Sequence, residues 1–131
     1  MTDGDTIVVR SGPHTEPVRL LGIDTPEVAH HGRRAECFGP EASERTAELL
    51  PVGATVRLDL DVEARDAYDR VLAYVTTAEG VIVNLALAAE GFATPLAISP
   101  NYALADAIAG LSRDAAAQGL GLWGACPPEE R

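Results

Sequence analysis

Apolar and polar positions alternate along much of the chain with the period of a half-buried strand, and elsewhere repeat with the period of a helix. Thr6 to Arg10 sets Ile7 and Val9 against Val8 and Arg10, which predicts a short strand. Ser11-Gly12-Pro13 turns it, and Pro17 to Ile23 returns as a second strand with Arg19, Leu21 and Ile23 on one side. Val56, Leu58, Leu60 and Val62 alternate with Arg57, Asp59 and Asp61, the clearest half-buried strand in the sequence. Arg70 to Thr77 is another strand, and Ala78-Glu79-Gly80 turns it into a brief return at Val81 to Val83.

Helical spacing fills the gaps between these strands. Gly39-Pro40-Glu41 opens a helix, with proline in the first turn, where its missing N–H costs nothing, and glutamate near the positive end of the dipole. Ala42, Thr46, Leu49 and Leu50 form its inner stripe, Glu41 and Arg45 are spaced to pair, and Pro51 with Gly53 ends it. Asn84 to Glu90 is a second, apolar helix closed by Gly91, and Leu104, Ile108, Leu111 and Ala115 mark a third that runs to Gly119. Val28 to Phe38, Glu63 to Asp69 and Thr94 to Asn101 read as loops. Leu120 to Cys126 holds the only tryptophan, Trp123, expected to anchor the tail in the core, and 127–131 is expected to be a disordered tail.

Strands interleaved with a helix, and helices gathered late, predict an α+β, mainly β fold: a five-stranded oligonucleotide-binding barrel with about three packed helices. The 131 residues, 47% of them apolar, suffice for a single domain, expected over 1–126. No apolar run approaches the roughly 20 residues that span a bilayer, so no membrane partner is expected and the chain reads as soluble. Met1-Thr2 stands directly before a charged turn, which predicts that a signal or a first strand has been trimmed ahead of it.

The net charge of −10 argues against a passive nucleic-acid binder, which normally presents a basic footprint. It leaves room for a phosphate substrate, because a few arginines and a bound cation can make a positive site on an acidic protein. Neither Cys37 nor Cys126 belongs to a Cys-x-x-Cys pair, so no zinc or redox motif is expected. A disulfide tying the tail to the middle of the chain, formed in an oxidising compartment, is the preferred reading, and two free, partly buried thiols are the alternative.

The chemistry concentrates in two stretches. Asp3-Gly4-Asp5-Thr6 opens the first strand, and Arg19-Leu20-Leu21-Gly22-Ile23-Asp24-Thr25-Pro26-Glu27 carries the second into two carboxylates and a hydroxyl. Asp3-Gly4-Asp5 taken alone is a turn and lacks the calcium-loop pattern, but aspartates on adjacent strand ends with one carbonyl suit a hard cation. Arg19 and Arg70 supply the opposite charge. Guanidinium forks answer the charge of a phosphodiester transition state, while the alternative pairs Arg19 with Glu27 and Arg70 with Asp66 or Asp69.

These segments, with Tyr68-Asp69-Arg70-Val71-Leu72-Ala73-Tyr74, closely resemble the signature segments of thermonucleases, the staphylococcal-nuclease-like family. Phe38-Gly39-Pro40-Glu41-Ala42-Ser43, Val83-Asn84 with Gly91, and Leu122-Trp123 resemble further landmarks in the same order, so the likeness runs from Asp3 to about Trp123. It implies a calcium-dependent endonuclease that hydrolyses DNA and RNA to 3′-phosphate ends. Asp5 and Asp24 would hold Ca2+ through carboxylates and Thr25 through its carbonyl. Arg19 and Arg70 would bind the scissile phosphate, Arg70 also steadying the leaving oxygen, Glu27 would orient or deprotonate the attacking water, and Tyr68 would contact a terminal phosphate. A secreted or cell-surface monomer is expected. The alternative is a non-catalytic oligonucleotide-binding or protein-interaction barrel, which would have lost at least one of Asp5, Arg19, Asp24, Glu27 and Arg70.

The sequence departs from the family at Ala67, where lysine is frequent, at Asp69, where glycine is common, and over Ala93 to Asn101, which lacks a stacking aromatic. His30 and His31 read as solvent-facing rather than as ligands, and Arg33 and Arg34 as an exposed pair, with contact to a substrate backbone as the alternative.

Overall fold

The computed structural model describes residues 3–131; Met1 and Thr2, where the sequence predicts a trimmed start, lie outside the described residues. The strands are β1 (Thr6–Ser11), β2 (His14–Leu20), β3 (Gly22–Asp24), β4 (Val56–Asp59), β5 (Val71–Thr77) and β6 (Thr94–Leu96). The helices are α1 (Gly39–Leu49), α2 (Val83–Ala89), α3 (Ala105–Ala117) and the single turn α4 (Leu122–Ala125). A four-stranded sheet runs β1-β2-β5-β4 and a two-stranded one pairs β3 with β6. β1 and β4 run antiparallel to their neighbours, whereas β2 and β5 are parallel, with Arg19 opposite Leu72. This is the expected α+β, oligonucleotide-binding-like architecture, with more and shorter strands than predicted. Among the described residues no helix is long and apolar enough to cross a membrane.

The extra strand comes from a break at Gly22. The sequence reads Pro17 to Ile23 as one strand, but Gly22 sits at φ 82°, in the left-handed region, and the Ile108 side chain fills the space where a Cβ would be. The corner resets the alternation: Leu20 and Ile23 enter the main core with Val18, Ala73, Val75 and Leu87, while Leu21 joins Leu72 and Tyr74 in a second cluster. Arg19, Leu21 and Ile23 therefore do not share one side. The corner also hands the chain from β5 to β6, which carries Asp24 and Thr25 out of the main sheet.

Asn84 staples that corner. Buried at the start of α2, it accepts from the Val75 amide at 2.9 Å and donates to the carbonyls of Leu21 (2.9 Å) and Ala73 (3.2 Å). These backbone groups would otherwise be buried unpaired where the strand bends.

Other expectations fail for local reasons. β4 stops at Asp59, opposite Tyr74, because the Asp61 carboxylate turns inward to accept from the Tyr74 hydroxyl (2.7 Å) and the Ala103 amide (3.0 Å). Leu60 and Val62, read as core positions, are exposed as a result. The return at Val81 to Val83 is a lone bridge between Thr76 and Ile82, since Val83 already begins α2. Arg45 pairs with Glu90, Nε to Oε1 at 2.7 Å, and with Glu48, rather than with Glu41, because the end of α2 packs beside α1. Leu122, not Trp123, is the buried anchor of α4. Trp123 is half-buried, its ring under the Arg131 guanidinium, and Pro128–Glu130 forms a 3-10 turn in the stretch expected to fray.

Candidate active site

Asp3-Gly4-Asp5 makes a tight turn at the foot of β1, the Thr6 amide donating to the Asp3 carbonyl. α1 holds this turn from behind: Thr46 Oγ1 donates to the Gly4 carbonyl at 2.6 Å, and a Cβ on Gly4 would crowd Thr25 Oγ1 and the Ala42 backbone. Glycine is needed there for close approach rather than for its dihedral freedom. The Asp5 carbonyl accepts from the Leu20 amide at 2.8 Å, which locks the turn to the end of β2.

That register delivers the charges to one point. Asp5 and Arg19 are both only 7% exposed, with Arg19 Nη2 3.4 Å from Asp5 Oδ2 and 3.9 Å from Asp24 Oδ1. Asp5 Oδ2 also accepts from the Thr25 amide at 3.0 Å, and Oδ1 from the Thr6 hydroxyl at 3.2 Å. Arg19 Nη1 donates to its neighbour's carbonyl, Leu20 O, at 2.6 Å. Asp24 projects outward, its side chain 57% exposed. Partial desolvation, then the facing Asp5 carboxylate, hold its pKa above the usual carboxylate range against the pull of Arg19, with Glu36 adding to the rise. The Thr25 Oγ1 atom is buried beside Gly4 without a hydrogen-bond partner among the described residues.

Asp5, Arg19, Asp24 and Thr25 thus converge as the sequence predicts, and Arg19 pairs with the aspartates rather than with Glu27. Glu27 is exposed at the start of the 28–38 loop, its Oε2 3.7 Å from His30 Nε2. Its amide donates to Glu36 Oε1 at 2.8 Å. With Val28, Arg33, Arg34 and Glu36 it lines a shallow cleft of about 260 Å³. Among the described residues no group of three His, Cys, Asp or Glu side chains is arranged to hold a metal ion. The Asp5 and Asp24 carboxylates and the oxygens of Thr25 are hard donors, of the kind that suits a cation such as calcium.

Arg70 and Tyr68 lie on the loop before β5. Asp66 organises that loop: Oδ1 accepts from the Tyr68 and Arg70 amides, each at 2.9 Å, and Oδ2 from Arg70 Nε at 2.8 Å. These hydrogen bonds outweigh the burial of the Asp66 carboxyl and keep it below its ordinary pKa. The Arg70 guanidinium sits 5.5 Å from the ring centre of Tyr68, a side chain that is otherwise open to solvent. Asp69 adopts φ 62°, the left-handed conformation that favours glycine, and aspartate is among the few side chains that tolerate it.

A larger cleft of about 410 Å³ opens beside Asp24, lined by Pro26, Glu36, Cys37, Thr94, Leu122 and the terminal Glu129, Glu130 and Arg131. Cys37 and Cys126 are joined there as a disulfide, as the sequence suggests. Glu36 was not legible as a site residue, since an isolated glutamate in a polar loop carries no signal.

Residues 17–125 match the family model described as Staphylococcal nuclease homologue. The chain belongs to that family. Among its relatives, the thermonuclease of Staphylococcus intermedius is 36% identical over 121 residues, spanning 92% of this chain and 71% of its own. The thermonuclease of Staphylococcus hyicus is 34% identical over 121 residues, 92% of this chain and 70% of its own. Endonuclease YncB of Bacillus subtilis (strain 168) is 34% identical over 123 residues, 92% of this chain and 57% of its own. Within this staphylococcal nuclease homologue Arg19, Asp24, Thr25, Glu27, Tyr68 and Arg70 fall inside the matched segment. Asp5 precedes it and joins it in space through Arg19 and Thr25.

Proposed function

We propose that the protein is a calcium-dependent phosphodiesterase that hydrolyses DNA and RNA endonucleolytically, leaving 3′-phosphate ends. The protein is a hydrolase of the nuclease class by its family; the metal, the products and the residue roles are the proposal. The observation that carries it is the buried Asp5–Arg19 pair set against the exposed Asp24, which puts carboxylates for a cation and a guanidinium for a phosphate within 4 Å of each other.

Asp5, Asp24 and Thr25 hold the ion. When bound, calcium supplies positive charge to the phosphoryl oxygens of the substrate. Arg19, fixed by its bond to the Leu20 carbonyl, presents its remaining N–H groups to the same phosphate. Arg70 has Nε committed to Asp66, which leaves its terminal nitrogens for the phosphate and the leaving oxygen. Tyr68 contacts a terminal phosphate. Glu27, exposed at the mouth of its loop, orients the attacking water and accepts its proton. The disulfide supports an oxidising compartment, hence a secreted or cell-surface protein, and the protein acts as a monomer.

The test is incubation of plasmid DNA and single-stranded DNA and RNA with the protein in calcium, then with a chelator, followed by end-group analysis. Cleavage in calcium alone, with 3′-phosphate termini, is expected. Cleavage that survives chelation, or 5′-phosphate termini, overturns the reading.

A further inference from the structure

The loop that begins at Glu27 is closed at its base by a reciprocal pair. The Glu27 amide donates to Glu36 Oε1 at 2.8 Å, and the Glu36 amide donates to the Glu27 carbonyl at 2.9 Å. Gly39 backs the same carbonyl so closely that a Cβ there would overlap it. Glu36 thus satisfies both polar backbone groups of Glu27, yet it is itself exposed, and an exposed hydrogen bond competes with water unless its partners are held in place.

What holds Glu36 is its neighbour. Cys37 is bonded to Cys126, 89 residues further along the chain. Cys126 is 2% exposed, and its amide donates to the Leu122 carbonyl at 2.9 Å. The Leu122 amide in turn donates to the Gly91 carbonyl at 2.8 Å. There the backbones of Gly91 and Gly121 touch, and neither glycine has room for a side chain. A continuous series of bonds therefore runs from the end of α2 through α4 and the disulfide to the backbone of Glu27.

We propose that the Cys37–Cys126 disulfide, acting through Glu36, is a positioning element of the reaction that fixes the backbone from which Glu27 reaches the substrate. The proposal rests on the reading of Glu27 as the base. A disulfide that only restrains the unfolded chain would alter stability and leave turnover of the folded enzyme unchanged.

The test uses the whole chain with calcium and a short single-stranded oligonucleotide, at a temperature where circular dichroism shows every form folded. Excess dithiol reduces the bond with two electrons and two protons, giving the Cys37 and Cys126 thiols while the reagent closes to its own disulfide. The Cys37→Ser, Cys126→Ser double variant gives the same state without reagent. In both, kcat is expected to fall about tenfold with KM changed less than about twofold, the scale of a small misplacement of a catalytic group. Glu36→Ala in the oxidised protein should reproduce this loss, and Glu36→Gln, which keeps the acceptor oxygen, should recover most of it. Combined with the serine variant, Glu36→Ala should cost no more than either alone, because the two act in series. Losses that multiply, or an unchanged kcat in the folded serine variant, overturn the proposal.

Amide hydrogen exchange gives a readout independent of the chemistry: the Glu27 and Glu36 amides should exchange faster once the disulfide is gone. Unchanged exchange overturns the proposal. Parental turnover in Glu27→Gln overturns the base assignment and with it the catalytic part of this inference, whereas faster exchange with unchanged kcat overturns the inference alone.

Discussion

Asp24 holds the least comfortable charge of the site. Its proton is bound more tightly in the native state than in the unfolded chain, so its contribution to stability is full while it is protonated and is lost as pH rises through the raised native value. Asp24→Asn is therefore expected to melt above the parent at neutral pH without calcium, with the difference vanishing below the unperturbed value of 3.8. Calcium should raise the parent's melting temperature at fixed ionic strength and leave the variant's nearly unchanged. Scanning calorimetry across pH, with and without the ion, checks both, and equal gains would place calcium elsewhere. Glu27→Gln and Arg70→Ala should each lower turnover by about two or more orders of magnitude with the circular dichroism of the parent, since each removes a positioned base or charge donor. At this scale the sequence was informative about which charged residues lie together, Asp5, Arg19 and Asp24, and less so about the partners of the others. Asp66 was one of two carboxylates in range of Arg70, and only the turn geometry, with Asp69 left-handed, selects it.

Among the elements, Asn84 joins β5, the β2–β3 corner and α2 with one side chain, through bonds to Val75, Leu21 and Ala73. Asn84→Ala strands those buried backbone groups and is expected to lower the unfolding free energy by about 2–4 kcal/mol, measured by urea titration. Helices α1, α2 and α3 were legible nearly to the residue because Pro40, Gly91 and Gly119 punctuate them, whereas the single turn α4 was read only as tail. Strand ends were not. Alternation continues through Leu60 and Val62, but pairing stops where the buried Tyr74, its phenol pushed up to about 12 by desolvation and by Asp61, captures that carboxylate instead. β6 escaped notice because Pro95 argues against a strand, although proline is tolerated on an edge strand such as this one.

At the scale of the molecule, the disulfide closes most of the chain into one loop, its cysteines 89 residues apart. In the chain-entropy model a loop of that length contributes about 4 kcal/mol, so reduction should shift the denaturation midpoint markedly even where activity is measured on folded protein. Unfolding with and without reductant reads this directly, and a midpoint that does not move removes the disulfide from the stability of the fold. The overall plan was legible because ordered motifs fix the sequence of elements. The corner at Gly22 was not, since its cause is Ile108, which lies far along the chain.

Arg19 already has counter-ions of its own, Asp5 and Asp24, before any ligand arrives. In the proposed reaction a cation that takes over those carboxylates releases the guanidinium for an incoming phosphate, and a phosphate that occupies the guanidinium releases the carboxylates for a cation. The site then works as an ion exchanger, trading one internal pair for two external ones. By thermodynamic linkage the factor by which calcium tightens phosphate binding must equal the factor by which phosphate tightens calcium binding. Neither ligand alone draws the full advantage of the site, so an acidic protein of this kind would hold its metal loosely until substrate is present.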